Sequence, residues 1–529
     1  MDRPFCEGSA AAQGMGGWIW SQMNTTNPLT AERMESLDSQ GWTMQICGPF
    51  RNRVKQRMVV INTEREMNRL QALFNPTSVA VIGATDKLDK LGFHVMKSLT
   101  QGGYQGRIFP VNPGAQQIMG LKAVSSVSAC DGGVDLAIVV VPAGRVPAVF
   151  RECAAAGVKG IVLITAGFKE IDDPAGADLH AEIEAIARDA GMPVIGPNTF
   201  GMINLTADLN ASFTPEFSLL RKGSISLVSQ SGGISHLLGF MAMRMDAGFR
   251  MIVGLGNRLN VDFSQMIAFL ADDALTRVIL LYIEGIDEAG ALMKAARGAA
   301  GRKPILAYKT GSGHVGDAAC RSHTGSLAGS HAIYTASFAQ AGIVYLDNTE
   351  SLLDAAKAFS GSPLPTGPRV AVLSGQAGPS MAACDVCEGG GLRIVRFTPR
   401  TQDTINQLLP PLALRTNPVD MGPAWYDSAA IRGIIRTVMD DNNVDGVLLL
   451  MMFASANRDA VAGITDLLKE RKQQQPLITC IVSPPGIWDE AIRDLETSGA
   501  LVNFPTPERA AQAMVNLWRY RKMCQNFNL

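Results

Sequence analysis

Several features are scarce or missing in this chain, and each absence removes a class of protein. No apolar run reaches the ~18 residues that a membrane-spanning helix needs. Neither sign of charge is in excess: 47 Lys and Arg stand against 48 Asp and Glu, for a net charge of −1. Nothing in that balance favours nucleic acid or an anionic membrane as a partner. The nine cysteines are scattered and odd in number, which fits a reducing, cytoplasmic setting and not a disulfide framework. Cys384 and Cys387 form one CxxC, but no second pair or nearby histidine completes a metal site. They are expected to be ordinary helix cysteines, and no metal site is expected. Two nucleotide signatures are also missing. Gly83 is followed by Ala84 and then by no glycine until Gly92, so the dinucleotide fingerprint GxGxxG fails and an NAD enzyme is disfavoured. The phosphate loop GxxxxGK[ST] does not occur.

What is present reads as an α/β protein of several domains. The 529 residues suit about three domains at roughly 150 residues each, and a 47% hydrophobic, 18% charged composition is ordinary for a globular chain. Residues 1–66 lack sustained periodicity and show no signal-peptide pattern, so they are expected to be a poorly ordered extension. From residue 78 short β-branched runs alternate with Ala-rich helical stretches. The first set is Ser78–Ile82, Arg107–Val111, Leu136–Val141, Gly160–Thr165 and Pro193–Ile195. The second is Ser224–Val228, Met251–Leu255, Val278–Ile283, Pro304–Tyr308 and Ile343–Leu346. The third is Arg369–Leu373, Leu392–Phe397, Val447–Met452, Leu477–Val482 and Leu501–Phe504. Strands that are apolar throughout and linked by helices predict doubly wound parallel sheets. Clusters of Pro and Gly divide the chain into domains at 67–212, 213–362 and 363–529.

Each domain opens with a strand, a turn of small residues and a helix. The turns are Gly83-Ala84-Thr85, Ser229-Gln230-Ser231-Gly232-Gly233 and Ser374-Gly375-Gln376-Ala377-Gly378-Pro379-Ser380. A helix start carries unpaired N–H groups and a positive dipole end, which attract phosphate, and glycine lets the anion approach. Any doubly wound domain needs small residues there, so one such turn says little. Two of them flank a stronger candidate, His323, within Arg321-Ser-His-Thr-Gly-Ser-Leu-Ala-Gly329. Its small and polar neighbours suit an imidazole that takes up a bulky charged group and hands it on. A neutral imidazole is a competent nucleophile for phosphoryl transfer. The other histidines, His94, His180, His314 and His331, have no such context and read as structural.

Nine segments in order resemble one family, from about Leu73 to Trp518. They are Ser78-Val-Ala-Val-Ile-Gly-Ala84, Pro110-Val-Asn-Pro113, Val140-Val-Pro142, Gly196-Pro-Asn198, Ser229-Gln-Ser-Gly-Gly233, Tyr282-Ile-Glu-Gly285, Ser322-His-Thr-Gly-Ser-Leu-Ala-Gly329, Asn417-Pro-Val-Asp420 and Pro507-Glu-Arg-Ala510. The chain resembles the alpha subunit of the nucleoside-diphosphate-forming acyl-CoA ligases, the group of ADP-forming acetate–CoA ligase and succinyl-CoA synthetase. The resemblance implies a CoA-binding Rossmann-like domain followed by two flavodoxin-like domains. It implies a phosphohistidine at His323 that passes its phosphate to a carboxylic acid, giving an acyl phosphate that CoA displaces.

The resemblance also implies roles for residues. Glu284 would orient His323. Ser231, Gly232 and Gly233, and in the third domain Gly375, Gln376, Ala377 and Gly378, would bind phosphate. CoA would meet Gly83, Ala84, Thr85, Asn112, Pro113, Val141, Pro142, Thr165, Ala166 and Asn198. His236 stands where the succinyl relative has a substrate-contacting tyrosine, so a role in acid binding is expected. Two departures stand out: Thr199 where the family often has cysteine, and a third-domain turn poorer in paired glycines. The family's ATP-grasp domain is missing from this chain, which implies a separate ATP-grasp beta subunit carrying ATP and Mg²⁺. A non-catalytic CoA-binding regulator of the same fold is the competing reading.

Overall fold

The computed structural model describes residues 68–313, 315–316, 331–411, 413–469 and 475–527. The expected extension, His314 and the expected phospho-acceptor His323 lie outside the described residues. The fold is α/β, with three principal sheets. The first joins β1 (Ser78–Ile82), β2 (Arg107–Val111), β5 (Leu136–Val139), β6 (Gly160–Leu163) and β7 (Val194–Ile195) in the all-parallel order β2-β1-β5-β6-β7. A small hairpin of β3 (Gln117–Ile118) and β4 (Leu121–Lys122) stands apart.

The second sheet contains β8 (Gly201–Asn204), β9 (Leu209–Ser212), β10 (Lys222–Ser229), β11 (Phe249–Gly254), β12 (Val278–Ile283), β13 (Ile305–Lys309) and β14 (Ile343–Tyr345). Their order is β14-β13-β12-β10-β11-β8-β9. The third contains β15 (Arg369–Ser374), β16 (Arg393–Ile394), β17 (Val419–Asp420), β18 (Gly446–Met452), β19 (Leu477–Val482) and β20 (Val502–Asn503). Its order is β16-β15-β18-β19-β20, with β17 beside the end of β15.

The predicted strands form because parallel strands covered on both faces need no polar alternation. β1 (SVAVI) and β12 (VILLYI) are buried at every position. The hairpin β8–β9 breaks this rule. It is antiparallel to β11 through Met251↔Asn204 and Val253↔Met202, so residues 201–212 join the second sheet, although the sequence pattern assigns them to the first domain. Its buried polar residues are all bonded. Asn204 Nδ2 donates to Phe74 O at 2.9 Å, and Asn210 Nδ2 to Thr214 O at 3.0 Å.

In each sheet the opening strand (β1, β10 or β15) lies inside the sheet, with the next parallel strand on one side and a later strand on the other. The strand order reverses there, and ligands of open α/β sheets bind beyond the carboxyl ends of strands at such a point. All three turns singled out from the sequence fall at these reversals. In the first, Gly83 has φ +98°, and a Cβ would lie 2.9 Å from Val140 O. Helix α1 (Leu91–Gln101) starts so close that a Cβ on Gly92 would lie 2.1 Å from Gly83 O. The tight turn and the close helix–strand contact that the fingerprint supplies within a few residues are here split by a longer loop.

Four further helices frame the turns and join the second sheet to the third: α2 (Gly232–Arg244), α3 (Thr349–Gly361), α4 (Ala377–Gly389) and α5 (Pro507–Asn526). Leu352, Leu353 and Phe359 of α3, with Met514, Val515 and Leu517 of α5, join residues of β10, β12, β15, β18 and β19 in one apolar cluster. The Pro507-Glu-Arg-Ala motif pins this joint: Arg509 Nε and Nη2 meet the two Asp354 carboxylate oxygens at 2.7 Å each, and Nη1 meets Glu350 at 2.7 Å. The CxxC cysteines lie on α4, where burial raises Cys384 to about 11 and Cys387 to about 12, keeping both as thiols.

His180 sits 8% exposed against Phe168, and its Nδ1 has no partner among the described residues. Burial pushes it down to about 4, with Lys169 nearby acting in the same direction. The unfolded chain therefore takes up this proton first as pH falls from about 6.5 to about 4. Its contribution to stability is intact above that window and lost within it. His180→Phe should remove about 1–2 kcal/mol of the loss in urea-unfolding free energy between pH 7 and 4.5. An unchanged pH slope would count against this.

Candidate active site

The second-sheet turn is built by hydroxyls. Ser229, the last residue of β10, donates from Oγ to Ser231 O at 2.9 Å and accepts from Ser231 N at 3.1 Å. Ser231 then caps α2, its Oγ accepting from Ile234 N at 3.4 Å, and Ser235 Oγ donates to Ser231 O at 2.9 Å. The Gly232 and Gly233 N–H groups lie in a first helical turn, where no intrahelical acceptor exists. A Cβ on Gly233 would meet nothing nearer than 3.9 Å, so the helix start is open.

Gln230 ties this turn to the neighbouring strand. Its Oε1 accepts from Glu284 N at 2.6 Å and from Gly285 N at 3.0 Å. Half-buried Glu284 follows directly on β12, so the stitch fixes it beside the start of α2. The third-sheet turn repeats the construction. Ser374 Oγ donates to Gln376 O at 2.5 Å and accepts from Gln376 N at 3.3 Å. Gln376 stitches to the end of β18, with Nε2 donating to Met452 O at 3.2 Å and Oε1 accepting from Met452 N at 3.4 Å. Trp425 Nε1 donates to Gly375 O at 2.6 Å, a cover the second-sheet turn lacks among the described residues. The poorer glycine content of this turn has not cost it the geometry of a helix start.

The residues expected to meet CoA converge on the carboxyl end of the first sheet. Asn112 Nδ2 donates to Ala84 O at 2.8 Å, and its Oδ1 accepts from Gly114 N at 2.9 Å, next to Pro113. Thr165 Oγ1 donates to Val141 O at 2.7 Å, beside Pro142, and Asn198 N to Thr165 O at 2.9 Å. Gly83, Ala84 and Thr85 form the turn after β1. Alanine at Gly83 must take up a left-handed conformation and crowd Val140. Gly83→Ala should cost about 1–3 kcal/mol in stability and weaken CoA binding about tenfold. Urea unfolding and calorimetric titration with CoA measure the two; unchanged affinity would remove this turn from the site.

One cavity of about 460 Å³ collects much of this. Its wall includes Thr165, Ala166 and Asn198 from the first sheet's end, and Gln230, Ser231, Gly232, Gly233, His236 and Glu284 from the second. Gly83, Ala84, Thr85, Asn112, Pro113, Val141 and Pro142 lie outside that wall, as do Gly375, Gln376, Ala377 and Gly378. Sequence reasoning missed Phe200, Phe213, Asn257 and Arg258, which also line it. Asn257 Nδ2 donates to Glu170 Oε2, joining loops of the two sheets. Burial works to raise the Glu170 carboxyl, but bonds from the Gly167 backbone and Asn257 outweigh it and hold it low. Asn198 (φ 57°), Gly256 (φ 54°) and Arg258 (φ 56°) all take left-handed backbone at the cavity. Such conformations, uncommon outside glycine, persist where surrounding structure enforces them. Arg258 is enforced by ion pairs to Asp262 at 3.1 Å and Asp287 at 2.7 Å.

His236 is part of an aromatic wall. Its ring contacts Phe200, Phe213, Phe217 and Phe240 at centroid distances of 5.0–6.0 Å. Nδ1 lies 2.7 Å from Gly232 O, which can only accept, so Nδ1 carries a proton. Nε2 lies 2.7 Å from Thr214 Oγ1. Both ring nitrogens are engaged by the protein, so His236 meets the cavity as a shaped wall. Thr199 donates from Oγ1 to Gly254 O at 2.6 Å, a bond that accounts for the hydroxyl where the family often has cysteine.

A CoA-binding domain model matches residues 77–204, and a model described as a succinyl-CoA ligase-like flavodoxin domain matches residues 222–359. The two matches put the chain in the class of CoA-binding chains with a succinyl-CoA ligase-like flavodoxin domain. The chain is 35% identical over 463 residues to the alpha subunit of ADP-forming acetate–CoA ligase II of Pyrococcus furiosus, covering 86% of this chain and 98% of that one. It is 33% identical to the ADP-forming acetate–CoA ligase of Methanocaldococcus jannaschii, covering 86% of this chain and 64% of that longer protein. A solved acetyl-coenzyme A synthetase 1 of Candidatus Korarchaeum cryptofilum, in complex with phosphate and ADP, superposes with a TM-score of 0.79 at 33% identity. The match covers 85% of this chain and 97% of that one. The chain belongs to the family of ADP-forming acetate–CoA ligase alpha subunits. This finding does not favour the non-catalytic regulator. Among the described residues no helix is long and apolar enough to cross a membrane.

Proposed function

We propose that the chain is the alpha chain of an ADP-forming acid–CoA ligase, working in the cytoplasm and converting acid, CoA and ATP to acyl-CoA, ADP and phosphate. The single observation that carries this is the shared cavity. A helix start suited to phosphate, the carboxyl-bearing Glu284 on its stitched backbone and three expected CoA contacts line one space. His323 takes the phosphoryl group, and Glu284 holds one ring N–H and stabilises the charge that develops. Ser231, Gly232 and Gly233 bind the phosphate on one side, and Gly375, Gln376, Ala377 and Gly378 on the other. CoA, a substrate here, is held by Gly83, Ala84, Thr85, Asn112, Pro113, Val141, Pro142, Thr165, Ala166 and Asn198. His236 walls the acid pocket. The three modules are 67–212, 213–362 and 363–529, the first lending β8 and β9 to the second sheet.

ATP and Mg²⁺ sit on a separate ATP-grasp beta subunit. The P. furiosus relative, a subunit alpha matched over 98% of its length, supports such a division of parts. The test combines this chain, a cognate ATP-grasp subunit, γ-labelled ATP and a panel of acids. Acid-labile, base-stable label is expected on the chain, and the acid that discharges it with CoA names the substrate. Full-rate acyl-CoA synthesis by this chain alone would overturn the division of labour, and an unlabelled chain the phosphohistidine.

A further inference from the structure

We propose that Gln230 is a catalytic hydrogen-bond donor, its Nε2 amide holding the carbonyl oxygen of the acyl phosphate while the CoA thiol attacks. The inference rests on the ligase reading above and deepens it. Gln230 is only 5% exposed, yet it lines the cavity with Glu284 and the start of α2. Its carboxamide cannot be flipped. Oε1 accepts two backbone N–H groups, from Glu284 at 2.6 Å and Gly285 at 3.0 Å, so the NH₂ end occupies the other side. Among the described residues that NH₂ has no acceptor. That nitrogen is not sealed off: it is open to the cavity that Gln230 lines, where a ligand oxygen can accept from it.

Three other carboxamides at these turns and on the cavity wall donate from their amide nitrogens. Gln376 makes the equivalent stitch in the third sheet, but both ends of its carboxamide bond to Met452. Two more on the cavity wall, Asn198 and Asn257, donate to Asn257 Oδ1 and to Glu170. Gln230 therefore differs from each in having its amide nitrogen unengaged by described protein groups while its oxygen is locked. A rigid neutral donor gains strength as a carbonyl oxygen turns anionic, so it favours the transition state over bound acid. The phosphoryl oxygens already have the helix start of Ser231–Gly233.

In this step the thiol sulfur bonds to the carbonyl carbon, and the C=O electron pair moves to the oxygen held by Gln230. The pair returns as the C–O bond to phosphate breaks, and the thiol proton leaves on the phosphate.

The test uses the chain with its ATP-grasp partner, γ-labelled ATP, CoA and the acid that discharges wild-type label fastest. Gln230→Glu keeps an oxygen for the Glu284 and Gly285 N–H groups but removes the donor. Gln230→Met removes both. Acyl-CoA formation should fall about a hundredfold or more in each, the loss expected for one oxyanion donor. Labelling of Gln230→Glu by ATP should stay within about threefold of wild type. Acyl-CoA formation within about threefold of wild type in either variant overturns the proposal. So does labelling that falls in step with acyl-CoA formation in both, because Gln230 would then act only through Glu284. A wild-type chain that takes no label overturns the ligase reading and this inference together.

Discussion

Alanine at His323 is expected to abolish both halves of the reaction: no label from ATP reaches the chain, and acyl-CoA formation falls by about four orders of magnitude or more. The size follows from chemistry. In the proposed mechanism phosphate passes through this imidazole to the acid, and no neighbour in Ser322-His-Thr-Gly325 can form an equivalent N–P bond. Binding should survive the change. CoA affinity, measured by calorimetry, should stay within about twofold, because the expected CoA residues all come from residues 83–198. Label persisting on His323→Ala would move the phospho-acceptor elsewhere.

Glu284→Gln should be the second most damaging change, lowering acyl-CoA formation by about 10³–10⁴-fold with little change in KM for CoA. That is the scale of loss when the carboxylate behind a catalytic imidazole is removed. Glutamine keeps the shape and the backbone N–H that bonds to Gln230 Oε1 at 2.6 Å, so the stitch survives. What is lost, in the proposed mechanism, is the negative charge that would fix the imidazole tautomer and balance the cation in the phosphorylated state. Both phosphorylation and discharge should slow, in contrast to the split expected for Gln230→Glu. Single-turnover measurement of each half separates the two, and a loss under about fivefold in both would remove Glu284 from the mechanism.

How much of the molecule is legible in its sequence depends on the range of each signal. The strands of β1 and β12 are legible because an apolar run of five or six residues is local and needs no partner to declare itself. The β8–β9 hairpin is not, because Asn204, Asn210 and Ser212 look exposed until their buried partners are known. The candidate phosphate turns are legible as small residues after a strand, yet their place at strand-order reversals belongs to topology. His236 can be placed one turn into α2, but not its bond to Thr214, 22 residues away. The role of Gln230 depends on backbone groups 54 and 55 residues distant. The aromatic wall of Phe200 and Phe213 is assembled from residues that carry no motif. His323 itself is picked out by its neighbours alone, and it remains outside the described residues.

The apolar cluster that runs from β10 and β12 through α3 and α5 into β15, β18 and β19 has a thermodynamic corollary. Two sheets that draw on one interior cannot melt separately without wetting each other's side chains. Residues 222–526 should therefore behave as a single cooperative unit, and a fragment ending near residue 362 would bare Leu352, Leu353 and Phe359 to water. The two helix starts that face phosphate in the proposed mechanism are held at a separation set by that common interior, as two jaws are set by one frame.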